Sequence, residues 1–318
     1  MTLYVVTGGA GFIGSHIARA LVERGDRVRV VDDFSSGRTE NLAELPLGAP
    51  GSGAPVELHR GDVLDESLLR TALRGARGVF HEAAQVSVPA SIRDPVVSYR
   101  INVMGTLAVL EAARAEGVGK MIFAASSAAY GDDPTLPKVE TMVPTPLSPY
   151  ASGKLAGEVL LSVWGRAYGL ETVALRYFNV YGPGQSDSSP YSGVIALFAR
   201  AVLARRVPTI FGDGEQSRDF VFVGDIVQAN LLAMDRTLER GIVLNVGTGK
   251  CVTINELYAR LALLAGFPDP PQYAPARTGD VPHSLASIER ARARLGFEPR
   301  VSLEAGLEQT LAWYRGRN

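Results

Sequence analysis

In the stretch Ser148 to Glu158, SPYASGKLAGE, Tyr150 and Lys154 stand four residues apart. On a helix that spacing puts both side chains on one face, where an ammonium can act on a phenol. A free tyrosine, with a pKa of about 10, is a poor base at neutral pH; lowering it by about 3 units costs about 4 kcal/mol, which a nearby Lys⁺ and a second positive charge beside the ring can supply. Tyr150 is therefore the expected proton-transfer group, with Lys154 its helper. Ser126 and Ser127 end the apolar run Met121 to Ala125. A serine there would hydrogen-bond a substrate hydroxyl and help shuttle its proton to Tyr150.

A second constellation lies at the N-terminal end. Residues 7 to 14 read TGGAGFIG, with Gly8, Gly11 and Gly14 in a G-x-x-G-x-x-G spacing. A tight turn after a strand needs a residue tolerant of positive φ, a pyrophosphate approaching a helix N-terminus needs a position without Cβ, and a third glycine lets helix pack on strand. The free N–H groups and the helix dipole then hold the phosphates. Asp32 ends the next apolar run 24 residues after Gly8, near the spacing of about 20 at which an acid accepts from the adenosine ribose hydroxyls. Its charge would repel a 2′-phosphate, which favours NAD over NADP.

The elements that must position these residues alternate. Leu3 to Thr7 reads as a strand, Phe12 to Arg24 as a helix and Arg27 to Val31 as a second strand; Val56 to Leu58, Glu66 to Leu73, Val79 to His81, a helix within Val96 to Ala115, and Met121 to Ala125 continue the series. Such alternation predicts an α/β fold, a Rossmann-type doubly wound parallel sheet. Pro46 to Pro55 reads as a surface excursion. After the strand Thr172 to Leu175 the texture turns to Gly/Pro/Ser-rich loops between shorter elements, which predicts a coenzyme-binding domain over 1–178 and a smaller C-terminal α/β part that shapes a ligand site over 179–318, with a segment that returns to the first domain.

Composition narrows the class. The 318 residues are 46% hydrophobic and 20% charged, an ordinary globular balance. The net charge of −1 gives no basic footprint for nucleic acid or an anionic membrane. Cys251 is the only cysteine, so no disulfide can form within the chain, and the four histidines have no metal-binding spacing. No metal is expected. No apolar run reaches about 18 residues and no charged leader precedes Leu3, so the chain reads as soluble and cytoplasmic.

The motifs TGGAGFIG (7–14), VVDDFSSG (30–37), HEAAQVSV (81–88), INVMGT (101–106), AASSAAYGD (124–132), SPYASGK (148–154), RYFNVYGP (176–183), GDGEQSRDFVFV (212–223) and ARTGDVPHSLA (276–286) resemble the extended short-chain dehydrogenase/reductases of the UDP-hexose 4-epimerase type over nearly the whole chain. The resemblance implies tightly held NAD⁺ that takes a hydride from sugar C4 while Tyr150 takes the O4 proton. The 4-keto sugar then swings over and receives the hydride on its other face. It assigns Ser126 as the catalytic serine, with Ser127 a hydrogen-bonding neighbour. Toward the coenzyme it implies Phe12 and Ile13 beside the glycines, Asp33, Ser35, Ser36 and Gly37 after Asp32, and Asp62 and Val63 at the adenine. Ala83 and Ala84 would meet the pyrophosphate and ribose, and Asn102 and Tyr177 the nicotinamide half. Toward the nucleotide-sugar it implies Val86, Asn179, Val194, Arg218, Arg277, Asp280 and Ser284. Fork-shaped arginines suit a diphosphate, and Asp280 can accept from ribose hydroxyls.

Two positions bear on subtype. In the related dehydratases an Asp-Glu pair follows the catalytic threonine, whereas here Ser127 and Ala128 follow Ser126, so water elimination lacks its acid. Ser284 falls where that family carries a large aromatic in enzymes confined to plain hexoses and a small residue in those admitting an N-acetyl group. The resemblance thus implies UDP-N-acetylglucosamine and UDP-N-acetylgalactosamine as substrates, with UDP-glucose and UDP-galactose beside them; alternatively Ser284 merely caps a helix Leu285 to Leu295. A UDP-glucuronate 4-epimerase or decarboxylase is a competing reading, and a non-catalytic NAD-sensing protein a third. The resemblance also implies a homodimer paired through Val96 to Ala115 and Tyr150 to Tyr168.

Overall fold

The computed structural model describes residues 1–186, 193–276 and 281–316. Its first half alternates as the apolar runs require: β1 (Leu3–Thr7), α1 (Phe12–Glu23), β2 (Arg27–Asp32), β3 (Leu47–Gly48), β4 (Val56–Arg60), α2 (Glu66–Leu73), β5 (Gly78–His81), α3 (Val88–Arg93), α4 (Pro95–Tyr99), α5 (Gly105–Ala115), β6 (Lys120–Ser126), α6 (Pro149–Tyr168) and β7 (Glu171–Tyr177). The second half adds β8 (Asn179–Tyr181), α7 (Val194–Leu203), β9 (Thr209–Phe211), β10 (Ser217–Arg218), β11 (Phe220–Phe222), α8 (Val223–Asp235), β12 (Ile242–Val246), β13 (Val252–Thr253), α9 (Ile254–Ala265), β14 (Gln272–Ala274), β15 (His283–Ser284), α10 (Glu289–Leu295) and α11 (Leu303–Arg315).

Eight strands form one sheet in the order β12-β7-β6-β5-β1-β2-β4-β3, and every pairing in it is parallel. Parallel strands need crossover helices, and these cover both faces. Successive side chains therefore alternate between two cores: Tyr4, Val6, Phe80, Ile122 and Tyr177 face the layer of α1 and α8, while Val5, Val79, Met121 and Phe123 face α2, α5 and α6. Such a fold is the expected Rossmann-type sheet. Every strand ends with its carboxyl edge on the same side, and there the glycine loop, Ser126 and Tyr177 emerge.

The chain beyond β7 builds three small sheets, β8 with β11, β10 between β13 and β15, and β9 with β14. They surround a third core of Tyr181, Phe198, Leu257 and Leu311. Not all of this half stays apart: α8 packs on α1, β6 and β7, and β12 pairs with β7 at the edge of the large sheet.

Three elements depart from the sequence reading. The Pro46 to Pro55 excursion contains β3, a two-residue edge strand on β4. The helix expected within Val96 to Ala115 is interrupted by a π-helical turn, Arg100–Met104. Ser284 caps no helix: it lies in β15, and α10 begins at Glu289 without a side-chain cap.

Candidate active site at the carboxyl edge of the sheet

The glycine loop has the geometry that a phosphate cradle needs. Gly8 has φ +67°, and a Cβ there would come within 2.6 Å of the Ala83 nitrogen. At Gly14 a Cβ would meet the Gly8 carbonyl oxygen at 2.3 Å, so only glycine lets α1 sit this close to β1. Gly11 differs: its φ is an ordinary −75°, and a Cβ would meet only the Gly8 oxygen, at 3.0 Å. Its bareness keeps open the space in front of α1. No side chain caps that helix end, so the N–H groups of Phe12 and Ile13 and the dipole are available to an anion.

Asp32 holds this loop together. Its buried carboxylate accepts from the Ala10 N–H and the Phe34 N–H, each at 2.8 Å. Burial pushes its pKa up, and these two N–H groups oppose the rise. Each oxygen keeps a lone pair for a hydroxyl. Gly37 leaves room for it, since a Cβ there would stand 2.6 Å from Asp32 Oδ1. Asp33 accepts instead from the N–H and hydroxyl of Ser35 at 2.9 and 2.6 Å, with Ser36 exposed beside them. Asp62 accepts from the Leu64 N–H at 3.0 Å. Val63 is buried among apolar neighbours, so it has chiefly its backbone to offer an adenine.

The loop after β5 is held from behind. Asn102, in the π-helical turn, accepts from the Gln85 N–H at 2.9 Å and donates to its carbonyl at 3.0 Å. The predicted nicotinamide-half residue thus spends its amide on the backbone that follows Ala83 and Ala84. Beneath it, Thr106 donates to the Asn102 carbonyl at 2.7 Å. His81 Nε2 must then donate to Thr106 Oγ1 at 3.1 Å, and Nδ1 accepts from Thr7 Oγ1 at 2.7 Å. Burial, and secondarily the charge of Lys154, lower this imidazole to about 3. His81 is a neutral strut.

Tyr150 and Lys154 lie in the first turns of α6, as their spacing predicts. Ser148 caps the helix by accepting from the Ala151 N–H, and Pro149 occupies its first turn. The Tyr150 N–H donates to Ser91 Oγ at 3.1 Å, which ties the helix start to α3. Farther along, a buried ion pair fastens α6 to β7: Arg176 donates twice to Glu158, at 2.8 and 2.7 Å. Lys154 is itself buried; its Nζ donates to the Ala124 carbonyl at 2.7 Å and sits 4.9 Å from the centre of the Phe123 ring. Burial lowers its pKa to about 8, against the pull of the Glu82 carboxylate. Burial raises the Tyr150 phenol; the neighbouring Ser126 hydroxyl pulls the other way and Glu82 adds to the rise. The protein's own groups thus leave the phenol above its ordinary value, and the lowering expected of Lys154 needs a further positive charge beside the ring. Ser126 also caps the short 3₁₀ turn Ser127–Tyr130, accepting from the Ala128 N–H at 3.2 Å, with Ser127 its first residue.

Next to this edge opens a cleft of about 550 Å³. Ser126 pairs in register with Tyr177, and two residues on Asn179 reaches the cleft wall together with Val194, Arg218, Leu197 and Phe211. Asn179 is held by the Asp219 backbone, its N–H and its amide both donating to that carbonyl. Arg218 donates to the carbonyls of Ser217 and Pro282 at 2.9 and 3.1 Å, and its register partner in the parallel pair is Ser284. Val86 is well exposed. Arg277 and Asp280 lie outside the described residues. Apart from Val194, the apolar wall of the cleft escapes the sequence reading, as does the acid Glu82. A charged residue directly after an apolar strand is the available signal for Glu82; the remaining wall residues carry none.

The profile of the NAD dependent epimerase/dehydratase family matches residues 4–247. The chain belongs to that family. It is 40% identical to a UDP-glucose 4-epimerase of Mycolicibacterium smegmatis over 318 residues, 99% of each chain. A crystal structure of UDP-glucose 4-epimerase with UDP-glucose from Thermotoga maritima superposes with a TM-score of 0.93 at 40% identity, again over 99% of each chain. A UDP-N-acetylglucosamine 4-epimerase from Methanobrevibacter ruminantium, in complex with UDP-N-acetylmuramic acid, gives a TM-score of 0.93 at 38% identity over 100% of this chain and 99% of that one. The glycine cradle, the open front of α1 and the buried acid at the end of β2 fit the NAD that the family's description names. Among the described residues no helix is long and apolar enough to cross a membrane.

Proposed function

We propose that this family member is a UDP-hexose 4-epimerase that works with bound NAD and accepts UDP-N-acetylglucosamine and UDP-N-acetylgalactosamine beside the plain hexoses. The observation that carries the reading is the meeting of Ser126, Tyr150 and Lys154 at the carboxyl edge, next to the coenzyme cradle and the cleft. Gly8, Gly11, Gly14 and Asp32 would hold the coenzyme. Bound there, NAD would supply a hydride acceptor and donor for sugar C4.

The protein's share is proton transfer and positioning. Tyr150 takes the O4 proton and gives it back. Ser126 accepts and donates beside it, so the sugar hydroxyl is held at hydrogen-bond reach of the phenol. Lys154 places positive charge behind the phenol, and the buried edge keeps that charge effective. Arg218 would meet the diphosphate and Asn179 the sugar side of the cleft. Neighbours in a parallel pair present their side chains to one face, so Ser284 shares the face of Arg218, and its small side chain leaves space for an acetamido group. The 1–178 and 179–318 halves then serve coenzyme and nucleotide-sugar respectively.

A homodimer belongs to the same proposal. Val96, Val97, Tyr99 and Met104 on the α4 side and Val159, Val163 and Tyr168 on α6 are exposed. Contiguous apolar surface of this kind marks a protein interface. The place of action in this proposal is the cytoplasm, in keeping with a single cysteine.

The test is incubation of the purified protein, without added NAD, with UDP-galactose, UDP-N-acetylgalactosamine and UDP-galacturonate in separate tubes, following C4 stereochemistry by proton NMR. Inversion of the N-acetylated sugar supports the reading. Inversion of the galacturonate alone moves the assignment to a UDP-glucuronate 4-epimerase. Silence with all three, persisting after NAD is added, sinks it.

A further inference from the structure

We propose that Glu82 is a positioning residue for the proton transfer: its carboxylate, aimed by Tyr177 and Asn230, is the counter-charge that keeps Lys154 an ammonium behind Tyr150. The inference rests on the epimerase reading above and concerns a residue that the reading leaves unused.

The geometry is defined from three strands and two helices. The register that pairs His81 with Phe123 puts Glu82 one residue on, beside Ala124, whose carbonyl takes the Lys154 Nζ at 2.7 Å. On its other side the Glu82 N–H donates to the Thr7 carbonyl at 3.1 Å, so its backbone is fixed. Its side chain is fixed too. Asn230 is buried, and its Nδ2 spends both protons, one on the Ile226 carbonyl at 2.9 Å and one on Tyr177 Oη at 2.8 Å. The Tyr177 hydroxyl therefore accepts from Asn230 and must send its own proton to Glu82 Oε1, 2.9 Å away. A donor locked in that direction favours the carboxylate over the acid.

The titratable groups that act on Glu82 come from two elements, Tyr177 from β7 and Lys154 from α6, while Glu82 in turn acts on Tyr150 of α6. Its chain neighbour His81 is neutral and committed to Thr7 and Thr106. Burial lifts the Glu82 carboxyl to about 7, opposed by Tyr177 and then by Lys154. Lys154 stands at about 8 with the carboxylate's help. Near neutral pH the two groups are thus within reach of exchanging protonation states, and the hydrogen bond from Tyr177 biases the pair toward carboxylate and ammonium. Tyr177, which the family resemblance implies at the nicotinamide half, acts in this arrangement through Glu82.

The experiment uses the holoenzyme and two isosteric variants, Glu82→Gln and Tyr177→Phe, with two readouts. Infrared difference spectroscopy across pH follows the carboxylic-acid carbonyl band without requiring turnover. In the wild type the band titrates near pH 7; it is missing in Glu82→Gln, and in Tyr177→Phe it titrates at higher pH because the bond that favours the carboxylate is gone. The second readout is the pH profile of kcat. Its alkaline limb reports loss of the Lys154 proton near pH 8 and moves down by about one unit in Glu82→Gln, since an opposite charge at close range is worth about that much or more. A limb that stays in place while kcat falls overturns the proposal and leaves Glu82 a structural side chain. So does a wild-type spectrum without a band that Glu82→Gln removes. A wild type that shows the band but inverts no sugar marks failure of the epimerase reading instead, with the pairing of Glu82 and Lys154 intact.

Discussion

The carboxyl edge of the large sheet and the cleft beside it are built on different terms. At the edge nearly every polar group is committed before any ligand arrives: Asp32 to Ala10 and Phe34, Asn102 to Gln85, Lys154 to Ala124. The strand ends of an eight-stranded parallel sheet hold these bonds in place. The cleft is walled by apolar side chains, Val194, Leu197 and Phe198 from α7 and Phe211 from the three-residue strand β9. Proton transfer between fixed groups needs the rigid edge, because a misplacement of about 1 Å can cost about 100-fold in rate. A sugar that must present both faces to the edge, as the proposed function requires, would need the roomier, less polar cleft.

Breaking the edge at its reacting group gives the largest effect. Tyr150→Phe keeps the ring in its place on α6 and removes the proton acceptor, so kcat falls by roughly 100- to 10,000-fold. Coenzyme content, measured by release from denatured protein, stays at the wild-type level. Turnover near that of the wild type would remove Tyr150 from the mechanism.

Altering the cleft changes selectivity and leaves the chemistry alone. Ser284→Tyr places a ring on the face that Arg218 shares. Relative kcat/KM for UDP-N-acetylgalactosamine over UDP-galactose then drops by roughly 10- to 200-fold, the range one pocket contact commands. Equal losses on both sugars would mean that Ser284 lies outside the sugar's reach. Asp32→Asn keeps the shape at the end of β2 and removes the charge; hydrogen bonds to a charged group are worth about 1.5–3 kcal/mol, so coenzyme affinity falls by roughly 10- to 150-fold, measured by titration of the stripped protein.

How far the sequence reveals these two regions follows from the range of the contacts. Gly8, Gly14, Asp32, Tyr150 and Lys154 announce themselves through spacing along one strand or one helix, and the alternation of apolar runs predicts the sheet. Asn102 and the π-helical turn are another matter, because the interruption of that helix accompanies bonds to Gln85, 17 residues away. The same holds for Arg176 and Glu158, and for Asp219, whose buried carboxylate gathers the N–H groups of Thr248, Gly249 and Ala286. No local pattern encodes such partners. Of the two readings of Ser284 the helix cap fails: a serine before an apolar run suggests a cap, yet pairing with β10 makes it a strand residue.

The smallest effect sharpens the comparison within the edge itself, where neighbouring residues respond to acid with opposite signs. His81 has its folded pKa lowered to about 3, so as pH falls below about 6.5 the unfolded chain takes a proton that the folded chain refuses, and stability drops. Glu82 has its folded pKa raised to about 7, so between about pH 7 and 4.5 the folded chain takes the proton first and stability rises as pH falls. Lys154, at about 8, is protonated in both states across that window. The two slopes, each up to about 1.4 kcal/mol per pH unit, oppose one another in the wild type. Removing one exposes the other: in urea unfolding between pH 6.5 and 5.5, Glu82→Gln loses stability more steeply than the wild type, while His81→Gln loses it less steeply or gains. Parallel slopes in all three proteins would show that neither group titrates between the folded and unfolded states, and the strut at His81 and the counter-charge at Glu82 would both have to be redrawn.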